Sequence, residues 1–122
     1  MARSGPWQER LFCIFFIGKR SSDKNFIPER KFNKVVGELR AGLKAALGGS
    51  TTVRSLEARG DTLLWGPEPT RLILVIAAGD HEELVDSTIA KLGPKAAGDL
   101  EQDAIWVTKQ FLKLFVARPE RR

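Results

Sequence analysis

Apolar positions along this chain fall into separate runs, and the spacing within each run alternates between two periods. Leu11 to Ile17 is continuously apolar with aromatic and β-branched members, so Arg10 to Ile17, closed by Gly18, predicts a buried central strand. Lys19 to Asn25 has no period and little hydrophobicity, and is expected to form an exposed, mobile loop. Pro28 suits the first turn of a helix, where its missing N–H costs nothing, and Glu29 beside it favours the positive end of the helix dipole. Phe32, Val35, Val36, Leu39, Leu43, Ala46 and Leu47 then recur at spacings of three and four. They predict one amphipathic helix that stops at Gly48 and Gly49.

Ser50 to Leu56, rich in Thr and Val, predicts a second strand. Gly60 and Asp61 suit a turn before Thr62 to Trp65, and Gly66-Pro67-Glu68-Pro69 breaks the chain. Arg71 to Ala77 predicts a third, buried strand. Asp80 with Glu83 three residues later resembles a capping box, and Leu84, Val85, Thr88, Ile89 and Leu92 share one face of the helix that follows. Gly93 and Pro94 are expected to end or kink that helix, with a further short turn over Lys95 to Glu101. Ala104 to Val107 and Phe111 to Val116 supply the last extended segments, as one bent strand or two short ones. The order strand, helix, two strands, helix, strand predicts an α+β, ferredoxin-like βαββαβ sandwich: a four-stranded antiparallel sheet with two helices on one face. One domain is expected over residues 1–122, with its core at about 10–116 and short tails at both ends.

A single cysteine, Cys13, lies inside the first apolar run, which excludes a disulfide framework or a cysteine-based metal site within one chain and fits a reducing cytoplasm. The apolar stretch from Leu11 is too short to span a bilayer, and Met1 to Trp7 lacks a signal-peptide layout, so a soluble cytoplasmic protein without membrane contact is expected. A formal charge of +5 favours acidic partners, namely nucleic acid, a nucleotide or an acidic protein surface. The same excess also fits ordinary solubility, since Arg3, Arg118, Arg121 and Arg122 sit in the tails.

Arg30, Lys34, Arg40 and Lys44 fall on the polar side of the first helix, where they can meet successive phosphates, or simply form a solvated face. Lys19, Arg20 and Lys24 in the preceding loop extend that patch. Phe12, Phe15 and Phe16 lie on the first strand, but the third, Leu72-Ile73-Leu74-Val75-Ile76, lacks the basic and aromatic alternation of base-stacking modules. The outer sheet face therefore reads as covered by another subunit, most simply in a homodimer. Trp65, Gln102, Asp103 and Trp106 are the candidates for a pocket between sheet and helices; Gln102 and Asp103 also suit a loop-fixing role by hydrogen bonds. His81, flanked by Asp80, Glu82 and Glu83, reads as an exposed first-turn residue. Glu57, Asp61, Glu68 and Asp103 lie near strand ends at no spacing that demands a metal, and no cofactor is implied. Gly48-Gly49-Ser50-Thr51 runs from helix into strand, the reverse of a phosphate cradle, and reads as a C-cap.

Three segments carry a resemblance: Phe16-Ile17-Gly18, Gly48-Gly49-Ser50-Thr51-Thr52-Val53, and Leu100-Glu101-Gln102-Asp103-Ala104-Ile105. Together, over Leu11 to Val116, the chain resembles a loose family of small, uncharacterised βαββαβ proteins of bacteria and mobile elements. The resemblance implies the fold and transfers no catalytic residue. Charge, size and resemblance together lead to the expectation of a non-enzymatic regulatory protein that binds an acidic partner, by analogy a phage or mobile-element inhibitor. The alternatives are a dimeric α+β barrel enzyme or small-ligand binder, and a purely structural assembly subunit.

Overall fold

The computed structural model describes residues 6–49, 51–58 and 70–120. Its elements are β1 (Trp7–Gly18), α1 (Glu29–Leu47), β2 (Thr52–Ala58), β3 (Thr70–Ala78), α2 (Glu82–Asp99) and β4 (Trp106–Phe115). All pairings are antiparallel and the sheet order is β2-β3-β1-β4, the ferredoxin-like arrangement the element order predicts. β1 and β3 are central; β2 and β4 are the edges.

Strand periodicity sends alternate side chains of the two central strands to opposite faces. Leu11, Cys13, Phe15 and Ile17 of β1 meet Ile73, Val75 and Ala77 of β3 under the helices, all essentially solvent-free. α1 lays Phe32, Val35, Val36, Leu39, Leu43 and Leu47 on this layer, while Ala46 of the expected stripe stays exposed. A side chain such as Phe15 or Leu43, at 0% exposure, contributes roughly 1.5–3 kcal/mol through its burial. The helices approach closely at Gly42, where a Cβ would sit 3.0 Å from Leu92 Cδ1.

Several boundaries differ from the sequence expectation, each for a local reason. β1 starts at Trp7 rather than Arg10, because Trp7 to Glu9 pair only with Lys113 to Phe115 of β4, beyond the end of β3, and need no buried face. α2 does not stop at Gly93-Pro94 but runs on to Asp99. Proline removes one N–H and the bond it would make. Burying Ala96, Ala97 and Leu100 outweighs that loss. Asp80 makes no capping bond; His81 is the N-cap residue, without a side-chain hydrogen bond. The last segment is a single strand, one of the two readings the sequence allowed. Gly48 ends α1 at φ 84° and ψ 176°, a conformation essentially reserved for glycine. Its N–H donates to Lys44 O, and the Thr51 hydroxyl donates to Leu47 O at 3.2 Å. Thr62 to Trp65 and the turn at Gly60-Asp61 lie outside the described residues.

Candidate functional site

Two surfaces gather the residues with chemical potential: the open face of the sheet, and a rim groove between α1 and β2. Between sheet and helices the described residues form a packed hydrophobic core. Trp106 instead stands on the opposite face, 62% exposed, and Trp65 lies outside the described residues. Asp103 is exposed. Gln102 is committed elsewhere, with Nε2 donating to Gly18 O at 2.6 Å and Arg20 O at 3.0 Å.

Those two bonds belong to a set that folds the β1–α1 loop back on itself, in contrast to the loosely held segment the sequence predicts. Ser21 N–H reaches Asn25 O, Ile27 N–H reaches Lys19 O, and Ser22 donates through both N–H and hydroxyl to Glu101 O. Arg20 donates to Lys24 O at 2.8 Å, and its guanidinium carbon lies 3.8 Å from the centre of the Phe26 ring. Lys19 is bound to Glu57 at 3.0 Å. Of the three loop cations, therefore, Lys19 and Arg20 are engaged internally, while Lys24 is exposed.

Residue parity places Phe12, Ile14 and Phe16 on the outer face together with Leu72, Leu74 and Ile76. Cross-strand register builds one row with a large apolar side chain from every strand: Leu56, Leu72, Phe16 and Trp106. Leu56 is 50% exposed, and the row sits at the end of the sheet where β2 ends and β4 begins. Towards the far end the edges turn polar, with Arg54 and Thr52 on β2 and Thr108 and Gln110 on β4. A flat aromatic and aliphatic platform with a polar border suits the face of a planar heteroaromatic ring.

Beneath the same end, on the helix side, Glu57 accepts from Lys19 at 3.0 Å and from Arg71 Nη2 at 2.9 Å. These two cations hold its carboxyl below the usual carboxylate range, through hydrogen bonding first and charge second. Arg71 also donates to Ser55 Oγ at 3.4 Å and lies 5.7 Å from the centre of the Phe32 ring, while its Nε is buried without a partner. Across the sheet, Lys109 joins β4 to α2 through Glu82 at 2.6 Å and Asp86 at 3.1 Å, which raises its ammonium pKa. Cys13 lies below this pair, and burial pushes its thiol up to about 11. His81 stands 3.7 Å from Asp80. No group of three metal-ligating side chains occurs among the described residues.

The four helix-one cations are all exposed, and two of them, Arg40 and Lys44, line a groove. They face Gly49 and the stretch from Thr51 to Ser55, with Arg54 at the outer rim of the edge strand. Arg30 and Lys34 stand outside it. Sequence reading has no signal for Arg54, because it is the sheet order that makes β2 an edge beside α1.

No protein-family model and no curated protein matches the chain. Solved structures do. A phage SAM lyase in its apo state aligns with a TM-score of 0.57 at 17% identity, over 98% of both chains. The phage SAM lyase in complex with S-methyl-5′-thioadenosine aligns at 0.55 and 17% identity, again over 98% of both. The C-terminal domain of a cyclometallase involved in synthesis of the NPN cofactor of lactate racemase aligns at 0.55 and 12% identity; 90% of this chain is covered, and this chain spans 58% of that one. At these identities the likeness is one of fold, a small βαββαβ domain found in phage and cyclometallase proteins. It also overturns the expectation of a non-enzymatic binder of acidic partners. The domains that share the architecture come from enzymes, one of them with a nucleoside ligand.

Proposed function

We propose that this protein is an enzyme or small-ligand-binding domain whose ligand is a nucleoside-type molecule related to S-adenosylmethionine, held on the outer sheet face. The observation that carries the reading is the co-extensive likeness to the phage SAM lyase, over 98% of both chains, in a complex holding S-methyl-5′-thioadenosine. The platform supports it: Phe16 and Trp106 are direct cross-strand partners on an apolar face, a surface on which an adenine ring stacks. One open face encloses only one side of a ligand. A second copy laid against it would supply the other wall and cover Phe12, Ile14, Leu72, Leu74 and Ile76, which agrees with a homo-oligomer.

Incubation with S-adenosylmethionine, followed by chromatography for S-methyl-5′-thioadenosine, tests the enzymatic form. Release above the uncatalysed rate, lost in Trp106→Ala, is the expected result. Absence of both turnover and saturable binding of either compound contradicts the proposal.

A further inference from the structure

We infer that the groove between α1 and the edge strand β2 is a second site, one that takes the phosphate group of a small molecule. It is an open groove of about 440 Å³ lined by Arg40 and Lys44 on the helix and by Gly49 and the edge-strand stretch from Thr51 to Ser55, with Arg54 at its outer rim. Among the described residues its lining contains cations, hydroxyls, glycine and valine, and no carboxylate.

Ion pairing marks several other described cations, whereas Arg30, Lys34, Lys91 and Lys113, like those of the groove, hold no described carboxylate. Lys19, Lys31, Arg71, Lys95 and Lys109 each hold a carboxylate partner within 3.6 Å. Arg40, Lys44 and Arg54 pair with none of the described carboxylates, although Arg40 and Lys44 stand at the i, i+4 spacing where like charges repel. Neighbouring acids face away: Glu57 is taken by Lys19 and Arg71, and Glu38 borders the seam between the helices with Lys95 and Asp99. At the negative end of α1, two carbonyls, Lys44 O and Leu47 O, accept bonds from Gly48 N–H and the Thr51 hydroxyl. An anion entering the groove therefore meets the cations and hydroxyls of its lining and relieves a repulsion. Guanidinium groups offer the fork that fits two oxygens of one phosphate.

The size favours a small molecule, for which cavities of about 300–1,000 Å³ are usual. A nucleic-acid backbone tracking the helix would also engage Arg30 and Lys34, which lie outside the groove.

Isothermal titration of inorganic pyrophosphate at low salt tests the inference with three proteins: wild type, the Arg40→Gln/Lys44→Gln/Arg54→Gln variant, and an Arg30→Gln/Lys34→Gln control on the same helix. All five side chains are exposed, and thermal unfolding checks that both variants fold. Saturable binding that weakens at least tenfold in the groove variant and less than twofold in the control is expected. Equal weakening in both, no saturable binding by wild type, or tighter binding of a short duplex that the control variant also loses, overturns it.

Discussion

Gln102 reaches across the fold from the start of β4 to the end of β1, and its replacement gives a sharp energetic test of how the loops at the platform end are held. Its amide nitrogen donates to Gly18 O and Arg20 O, two carbonyls far away in sequence. Gln102→Ala removes both donors and leaves both half-buried carbonyls to be satisfied by whatever water can reach them. At about 0.5–1.5 kcal/mol for each bond lost, the cost is about 1–3 kcal/mol. Gln102 N–H still reaches Ala97 O, and Ser22 still donates twice to Glu101 O, so the loop is loosened rather than released. Urea unfolding should show the midpoint lowered by about 1 M with an unchanged slope, given slopes of about 1–3 kcal/mol per molar for small domains. Gln102→Glu should be at least as damaging at neutral pH, because a carboxylate offers no donor and faces two carbonyl oxygens. A midpoint within about 0.2 M of wild type for both variants would refute the reasoning.

Gly48→Ala should destabilise by about 1–3 kcal/mol by forcing a side chain into the conformation at φ 84° and ψ 176°, whereas Gly49→Ala, with open space around its Cβ position, should be near neutral by thermal unfolding. Glu57 has a depressed carboxyl pKa in the folded state, so its contribution is complete above the unfolded value near 4.3 and is lost as pH falls below it. Glu57→Gln should therefore flatten the acid limb of a stability-versus-pH curve, and an unchanged limb would dismiss the Lys19–Glu57–Arg71 cluster as an acid-sensitive support. The Cys13 thiol, raised to about 11 and fully buried, should resist a disulfide reagent at pH 8 in the native protein and react promptly in denaturant. Leu72→Glu with Leu74→Glu should convert an oligomer to a monomer in sedimentation velocity; a wild-type monomer at micromolar concentration would remove the second wall from the proposed site.

The elements were legible wherever the period of the apolar pattern had one physical cause. α1 could be read from Phe32 to Leu47 because a single stripe faces the core, and β1 and β3 because both faces of a central strand demand apolar residues. Legibility failed where pairing rather than burial makes the element, as with Gln8 and Glu9 at the start of β1, and where tertiary packing overrides a local breaker, as with Pro94. The candidate site was less readable for a related reason. Phe16, Leu56, Leu72 and Trp106 come from four strands and form a row only through cross-strand register, which no local spacing encodes. Arg30, Lys34, Arg40 and Lys44 look equivalent on a helical wheel, yet strand order sets β2 beside Arg40 and Lys44 alone. Gln102 was visible as a loop-fixing polar residue, although its partners on the β1–α1 loop were not.

The most direct test of the central claim is calorimetric titration of S-methyl-5′-thioadenosine into the wild-type protein and into Trp106→Ala, with the half-buried His81→Ala, at the start of α2, as a control. The account predicts saturable binding by wild type and control, and at least tenfold weaker binding once the indole opposite Phe16 is gone. Binding that Trp106→Ala leaves unchanged would move the ligand off the outer sheet face, and no binding by wild type would contradict the nucleoside reading itself.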